Sequence, residues 1–438
     1  MFVFDDPVVA GIIGLILLVV FLLPLKIPVG FSLGGAGVIG IILFKGFGGT
    51  LTNIVSSMPY SMGTTYVLVA IPLFVMMGWF IAEAKISPDL FTAAHNWIGW
   101  IRGGMAMAVI VACAFLAAVI GSAIVAAATV TPIALVEMRK YNYGDKLSTG
   151  VCAAAANLGP LIPPSIIFIV YGFITETSIA HLFTAGIGAG VLMALMFMGI
   201  TYVWCVINPR MGPSSPRPPV REMLRIPAGF FICVIIIVIC LGGIYTGFTT
   251  PTEAGALGAF VAMVFGFATR RMKGRGFIRA LSLTASTTGM IFLLIFGSMI
   301  FASMLALSTI PHWLVGILEP FSRWIVLVGL LFVLIILGFF IDIMGVILII
   351  VPALWPTLMA AHFDPVWLGV LICITILMGS ITPPFGTVVF VVSGIVKDVP
   401  MWDIFMGAFP YFIAMVVTLI LLIIFPDIAM FLVHKIYT

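Results

Sequence analysis

Two short stretches of the chain combine residue types that can bind ions. Asn157–Ser165 reads NLGPLIPPS, and Met378–Thr387 reads MGSITPPFGT. Each has two adjacent prolines behind a glycine inside an apolar segment, and proline removes a backbone donor and clashes with the preceding helical turn. We therefore predict two helices that unwind near the middle of a membrane. The freed carbonyl groups could coordinate a cation, and the N-terminus of each second half-helix would face an anion.

Asp342 is the one acid that we predict deep in the membrane. A central aspartate costs about 2.5–3.5 kcal/mol on the translocon scale, so such a residue usually faces a partner or a pathway. We favour a role at or beside a sodium site, because a hard cation prefers oxygen ligands and gains from one carboxylate. A structural role at a neighbouring helix terminus and a role in proton coupling stay open.

Glu253, in the stretch TTPTEAG, has a simpler interpretation. Thr250 suits the N-cap of a helix, Pro251 its first position and Glu253 its third, which is the pattern of a capping box. We predict a structural role for Glu253.

The composition requires lipid as the solvent of these elements. Of 438 residues, 63% are hydrophobic and 8% are charged, and the mean hydropathy is +1.33. A soluble domain has roughly 25% charged residues. Runs long enough to cross a bilayer, roughly 20 residues each, occur at 8–25, 28–44, 60–83, 147–175, 179–207, 226–247, 252–270, 280–307, 365–395 and 402–430. Because MFVFDD has no basic residue, we expect the first run to be a retained span, not a signal peptide.

Two further apolar runs, 103–138 and 324–361, are too long for one upright span and too short for two spans with a turn. Weak helix formers lie at their middles, Gly121 and Ser122 in the first and Asp342 in the second. We predict two re-entrant helical hairpins, whose irregular tips must be buried in protein or line a water-filled cavity.

The second half of the chain repeats the first at an offset of 220 residues. The matching positions are Pro132, Gly159, Pro163 and Pro164 in the first half and Pro352, Gly379, Pro383 and Pro384 in the second. We predict a first repeat over 1–207 with the broken helix 147–175, a cytoplasmic linker over 208–225, and a second repeat over 226–438 with the broken helix 365–395. Each repeat has five transmembrane helices and one hairpin. Since five is odd, the second repeat must be inverted, as in secondary transporters.

The basic residues test this map independently. With the N-terminus outside, all but three of the 19 lysines and arginines lie on the inner side, the exceptions being Lys45, Arg323 and Lys435. This is the positive-inside pattern. It predicts a multi-pass bacterial inner-membrane protein with both termini in the periplasm.

The chain lacks the sequence motifs of several enzyme classes. The chain has no GxxxxGK[ST], HExxH or GxSxG pattern, and its six cysteines form no CxxC pair. The basic run RRMKGRGFIR (Arg270–Arg279) fits a cytoplasmic loop facing anionic lipid headgroups, and we expect no nucleic-acid partner. An intramembrane enzyme would need clustered polar residues at membrane depth, where we find essentially only Asp342. We therefore expect a transporter, not an enzyme.

The chain resembles the large membrane subunit of tripartite ATP-independent periplasmic (TRAP) transporters. The motifs are AIPLFVMMG (Ala70–Gly78), IGSAI (Ile120–Ile124), LGPLIPPSI (Leu158–Ile166), TPTEAG (Thr250–Gly255), GFFID (Gly338–Asp342) and ITPPFGTVVF (Ile381–Phe390). The resemblance implies an ion-transporter-like, elevator-type fold that takes up an organic acid with sodium as the coupling ion. It also implies two partners, a periplasmic substrate-binding protein and a small four-helix membrane subunit.

The resemblance also implies site residues. One sodium site would lie between Gly121-Ser122-Ala123 and the segment Asn157 to Pro163, which includes Gly159. The other would lie between Asp342 and the segment Gly379 to Pro383, which includes Ser380 and Thr382. The predicted substrate-binding residues are Ser122, Ser165, Gly386 and Thr387. Family members often carry an acid just past the first tip, whereas this chain reads GSAIVAAAT there. A stand-alone sodium- or proton-coupled anion symporter or antiporter of related fold is the alternative function.

Overall fold

A computed structural model describes residues 7–46, 48–214, 219, 223 and 226–437. Within these ranges every regular element is helical. The predicted linker 208–225 and the two chain ends lie partly outside the described residues.

The first half folds into ten α-helices within the described ranges. They are α1 (Pro7–Leu22), α2 (Val29–Lys45), α3 (Gly49–Thr64), α4 (Ala70–Glu83, preceded by a 3-10 turn, Tyr66–Val69), α5 (Ser87–Ile98), α6 (Gly104–Ile120), α7 (Ala123–Lys140), α8 (Asp145–Ala156), α9 (Ile166–Thr175) and α10 (Ile179–Ile207).

The described part of the second half also folds into ten. They are α11 (Ala228–Ile237, continued by a π turn, Val238–Gly242, and by Gly243–Tyr245), α12 (Pro251–Ala268), α13 (Gly274–Leu307), α14 (Ile310–Leu318), α15 (Arg323–Phe340), α16 (Ile343–Ala360), α17 (Pro365–Gly379), α18 (Thr387–Ile395), α19 (Met401–Ile424) and α20 (Asp427–Tyr437).

Length and composition qualify 8 segments of the described chain as candidate membrane spans. The all-α polytopic fold is therefore confirmed. The predicted span 402–430 is wrong at its C-terminal end, because α19 stops at Ile424 and a new helix begins at Asp427. Pro426 lies between them and cannot continue the ladder of hydrogen bonds. The predicted span 60–83 is wrong at its start, because residues 60–64 belong to α3 and the span begins at Tyr66. The helix α3 was not predicted, and neither were the short helices α5 and α14, which precede the two hairpins.

Side-chain caps determine where several helices begin. The capping box predicted at α12 is confirmed: Thr250 Oγ1 accepts from the Glu253 amide at 3.3 Å, and Glu253 Oε2 accepts from the Thr250 amide at 2.7 Å. Asp364 caps α17 by accepting from the Trp367 amide at 2.8 Å. These bonds satisfy amide groups that have no partner inside the helix.

The helical hairpins α6–α7 and α15–α16 pack across the two halves of the chain. The second arm α7 packs against α18, and the second arm α16 packs against α9. At one end, the Arg139 guanidinium bridges Asp145 at 3.0 Å and Asp398 at 2.7 Å, which ties α7 to the loop after α18. The hairpins and the broken helices therefore form one packed unit.

A second group of helices packs beside this unit. The long helix α13 lies along α2 and α4, and α4 also packs along α12. The short helix α5 is held to this group through Asp89, which accepts from Arg271 Nη1 at 2.7 Å and from the Gly229 amide at 2.9 Å.

Candidate functional site

The first hairpin tip lies directly on the first helix break. Gly121 has a φ of 64°, a conformation that favours glycine, and an added Cβ would lie 2.9 Å from the Pro164 carbonyl oxygen. A Cβ on Gly159 would lie 3.2 Å from the carbonyl oxygen of Ser122. The structure therefore brings Gly121 and Ser122 against the segment with which the resemblance pairs them.

The first break runs from Asn157 to Ser165 and is buried except at Ile162, which is half-buried. Ser165 caps α9: its hydroxyl accepts from the Phe168 amide at 3.4 Å and donates to the Pro160 carbonyl oxygen. Among the hydrogen bonds of the described residues, none is accepted by the carbonyls of Asn157, Gly159 or Leu161. The break thus contains unused oxygen atoms, as a cation site requires.

The second tip carries Asp342, which is half-buried. Its carboxylate caps α16 by accepting from the Met344 amide at 3.3 Å. Just before the tip, Gly338 packs on Gly379, where an added Cβ would lie 2.5 Å from the Gly338 carbonyl carbon. This contact brings the second tip to the start of the second break.

The second break runs from Ser380 to Gly386 and is more open than the first. Pro383, Pro384 and Phe385 are exposed, and the Phe385 ring lies 5.5 Å from the Phe340 ring between centroids. Gly386 caps α18 without a side-chain hydrogen bond. Thr382 Oγ1 donates to the Met378 carbonyl at 2.6 Å, inside its own segment.

A buried pair of polar side chains joins the two breaks. Asn157 Nδ2 donates to the Leu377 carbonyl at 3.1 Å, and Ser380 Oγ donates to Asn157 Oδ1 at 3.0 Å. Both residues are almost fully buried, with relative exposures of 0% and 1%. The sequence named both residues but not their contact, because nothing in the spacing along the chain shows that they are neighbours.

Both hairpin tips line one cavity of about 110 Å³. It contains Gly121, Ser122 and Ala123 of the first tip and Asp342 of the second, with Pro160 of the first break. The described lining does not include Asn157, Gly159, Pro163, Ser165, Gly379, Ser380, Thr382, Pro383, Gly386 or Thr387. Asp342 therefore shares a cavity with the first tip.

The remaining walls come from residues to which the sequence assigned no role. They include Val75, Gly78 and Trp79 of α4 and Thr287, Met290 and Ile291 of α13. The α4 residues lie in or beside the AIPLFVMMG motif, which was the one signal that could have identified them. Those of α13 lie in or beside the serine- and threonine-rich stretch LSLTASTTGM (Leu281–Met290), to which the sequence analysis gave no role.

The chemistry of the described side chains restricts what this site can hold. They contain no group of three or more His, Cys, Asp or Glu placed to bind a metal ion. Hydroxyl, amide, carbonyl and single carboxylate oxygens are the donors at the tips and breaks. Such donors suit a hard cation.

The fold and the cavity define a multi-pass α-helical membrane transporter, with both irregular hairpin tips and the first interrupted helix lining one cavity. A family model described as tripartite ATP-independent periplasmic transporter, DctM component, matches residues 15–428. The chain belongs to this family, which confirms the resemblance. It is therefore a multi-pass inner-membrane transporter subunit and not an enzyme, and the family works with a small membrane subunit and a periplasmic binding protein.

Curated relatives cover nearly the whole chain. The C4-dicarboxylate TRAP transporter large permease protein DctM of Pseudomonas aeruginosa is 34% identical, over 91% of this chain and 93% of the relative. The sialic acid permease SiaM of Vibrio cholerae is 31% identical, over 92% and 94%. The ectoine permease TeaC of Halomonas elongata is also 31% identical, over 97% of each chain.

A solved structure shares the fold. The YdaH transporter of Alcanivorax borkumensis matches with a TM-score of 0.62 at 15% identity, covering 94% of this chain and 97% of that one. At this identity the match supports the fold alone.

Proposed function

We propose that this chain is the sodium-coupled subunit that imports an organic acid handed over by a periplasmic binding protein. The observation that carries the proposal is the single cavity where Ser122 and Asp342, at the two hairpin tips, lie beside the first helix break. Membership in a tripartite family favours this function over a stand-alone symporter or antiporter. The names of the relatives cover different solutes, so identity does not select the acid.

The oxygen donors support sodium as the coupling ion. The first site would use the tip Gly121 to Ala123 with the segment Asn157 to Pro163, in which the carbonyls of Asn157, Gly159 and Leu161 are unused. The second would use Asp342 with the segment Gly379 to Pro383, which the Gly338–Gly379 contact holds near the second tip. Sodium bound there would supply positive charge for a substrate carboxylate, in a cavity with no basic side chain among its described lining residues.

We further propose that the two halves are inverted repeats and that the chain works as an elevator. The unit of hairpins and broken helices would slide against the group that contains α2, α4, α12 and α13. In support, Arg139 and the Asn157–Ser380 pair join the two halves within the first unit. The small four-helix subunit would enlarge the stationary group.

Ion gradients can supply the energy without ATP. Two Na⁺ entering with one monoanion carry a net charge of +1, worth about 2.3 kcal/mol at a potential of about 100 mV. A hundredfold substrate gradient costs about 2.7 kcal/mol. The potential and a modest sodium gradient together therefore suffice.

Reconstituted uptake tests the mechanism. The complex with its partner subunits is placed in vesicles, and the sodium gradient and membrane potential are imposed separately. We expect uptake to rise with each gradient and to be greatest with both. Uptake that depends on neither the sodium gradient nor the membrane potential would exclude sodium-coupled transport.

Cysteine labelling tests the inverted arrangement. Single cysteines in the loops 210–225 and 270–279 should react only from the cytoplasm, and cysteines at both termini only from the periplasm. The expectation follows from the distribution of basic residues. Periplasmic labelling of the 270–279 loop would overturn the topology.

A further inference from the structure

The cavity at the hairpin tips has one carboxylate and very few other polar side chains. Of the described residues that line it, only Ser122, Thr287 and Asp342 carry a polar side chain, and none is a lysine, arginine or histidine. The other walls are mainly aliphatic, with one tryptophan. The lining therefore has few side chains that could pair with a substrate that carries several charges or hydroxyl groups.

The apolar walls come from both packed units. Trp79 and Val75 of α4, together with Met290 and Ile291 of α13, belong to the group beside the hairpins. Ile124, Val125, Ile166, Ile167, Ile343 and Met344 follow the tips and the first break. The apolar part of a substrate would therefore be enclosed on both sides, which is where burial of its surface gives most binding energy.

One carboxylate can still be held at this site. The helices α7, α9 and α16 all begin at the cavity, and a helix N-terminus attracts an anion through its unpaired amide groups. The cap bonds of Ser165 and Asp342 already engage amides of α9 and α16, whereas Ser122 makes no side-chain cap bond to α7. The start of α7 thus has free amides next to the proposed first sodium site.

We propose that the cavity takes an acid with one carboxylate and an otherwise apolar, branched or ring-shaped body. This inference rests on the proposed function, which supplies the carboxylate and the sodium. A second carboxylate would meet Asp342 and no basic side chain among the described lining residues. Several extra hydroxyl groups would outnumber the few polar partners in this lining, and an apolar site penalises unpaired polar groups.

Matched ring acids test the proposal. Cyclohexanecarboxylate and quinate share the ring and the carboxylate, but quinate carries additional hydroxyl groups. Cyclohexanedicarboxylate adds a second charge instead. Binding of each to the purified membrane complex in sodium buffer is measured by calorimetry. We expect cyclohexanecarboxylate to bind at least about tenfold more tightly than either, a difference of about 1.4 kcal/mol.

Two variants at the cavity and one control variant test whether the cavity walls cause the preference for cyclohexanecarboxylate. Trp79→Ala should weaken binding of cyclohexanecarboxylate more than that of quinate. Met290→Gln adds a hydrogen-bonding group at a residue that is 57% exposed, so it should fold and shift the preference towards quinate. Trp313→Ala removes a half-exposed tryptophan outside the cavity lining and should leave the preference unchanged.

The outcomes separate this inference from the proposed function. If quinate or the diacid binds as tightly as the monoacid and its binding requires sodium, the inference on substrate class is wrong and the function stands. If Met290→Gln leaves the preference unchanged, the walls do not select the substrate. If the monoacid is preferred without any sodium dependence, the inference stands and sodium coupling is wrong. If no acid binds, both are wrong.

Discussion

The two Pro-Pro breaks have similar sequences but different surroundings. In the first, Pro163 and Pro164 are buried, the hairpin tip at Gly121 touches the Pro164 carbonyl, and Ser165 caps the following helix. In the second, Pro383 and Pro384 are exposed, and the following helix starts at Gly386 without a side-chain cap. The same local pattern thus gives one enclosed segment and one accessible segment.

The difference in burial predicts that substitutions at the two breaks have different effects. The first break is buried and packs against the first hairpin tip. The second break is joined to the first through the bond between Ser380 and Asn157, while its prolines are exposed. We expect substitutions at the first break to affect stability and function together, and those at the second to affect function more selectively.

Replacing the first proline of either Pro-Pro pair should have the largest effect. Pro163→Ala and Pro383→Ala restore a backbone donor and remove the clash with the preceding turn, so the helix can rewind and recapture its carbonyls. Sodium-dependent uptake in vesicles should be abolished in both. Pro163→Ala should also lower the thermal stability of the complex, because Pro163 is buried.

Pro410→Ala is the matched control for both proline variants. This proline lies inside α19 and is absent from the described lining of the cavity. Its replacement should preserve sodium-coupled uptake. Normal coupling in both Pro163→Ala and Pro383→Ala would place the ion sites elsewhere.

Removing the carboxylate at the second tip should have the next largest effect. Asp342→Ala should raise the sodium concentration for half-maximal uptake by about tenfold, or about 1.4 kcal/mol, and change the substrate requirement much less. Asp342→Asn should fold normally, because it keeps the shape and removes only the charge. Sodium titrations of uptake measure both.

Glu319→Gln, at an exposed acid after α14, serves as the control and should leave the sodium titration unchanged. An unaltered sodium requirement in Asp342→Ala would assign Asp342 to helix capping or to proton transfer.

The link between the breaks should contribute a moderate amount of stability. Asn157→Ala removes two buried hydrogen bonds, one to the Leu377 carbonyl and one from the Ser380 hydroxyl, at a cost of about 1–3 kcal/mol. The Ser380 hydroxyl keeps the Leu377 carbonyl as an acceptor at 2.7 Å. Ser380→Ala should cost less, about 1 kcal/mol, because Asn157 keeps its bond to Leu377. Denaturant unfolding of the purified complex measures the difference.

Thr418→Ala provides the reference for this pair. Its buried hydroxyl bonds only to the Ala414 carbonyl of its own helix, at 2.8 Å. A loss in Asn157→Ala no greater than in Thr418→Ala would mean that the two breaks are not coupled through this contact.

The capping box at α12 should give the smallest effect. Thr250→Ala removes the hydroxyl that accepts from the Glu253 amide, and loss of such a cap costs about 1 kcal/mol. Uptake and its sodium dependence should be normal, because α12 begins away from the cavity. A changed sodium requirement in this variant would indicate that the capping pair Thr250 and Glu253 contributes to transport and not only to stability.

The sequence by itself determined the local features of this protein. Apolar runs, glycine and proline require particular backbone behaviour wherever they occur, so spans, hairpin tips at Gly121 and Asp342, and the cap at Thr250 could be predicted. The break between α19 and α20 was missed, although Pro426 marked it, because the apolar run continues past it.

Only the tertiary structure decided which of these local features meet. Asn157 and Ser380 are separated by 223 positions, and Ser122 and Asp342 lie in different halves, yet each pair shares a site. The sequence did not indicate that α4 and α13 supply walls of the cavity. Such contacts arise from the packing of whole helices, which depends on the total fit of many apolar side chains and is not encoded in any single motif.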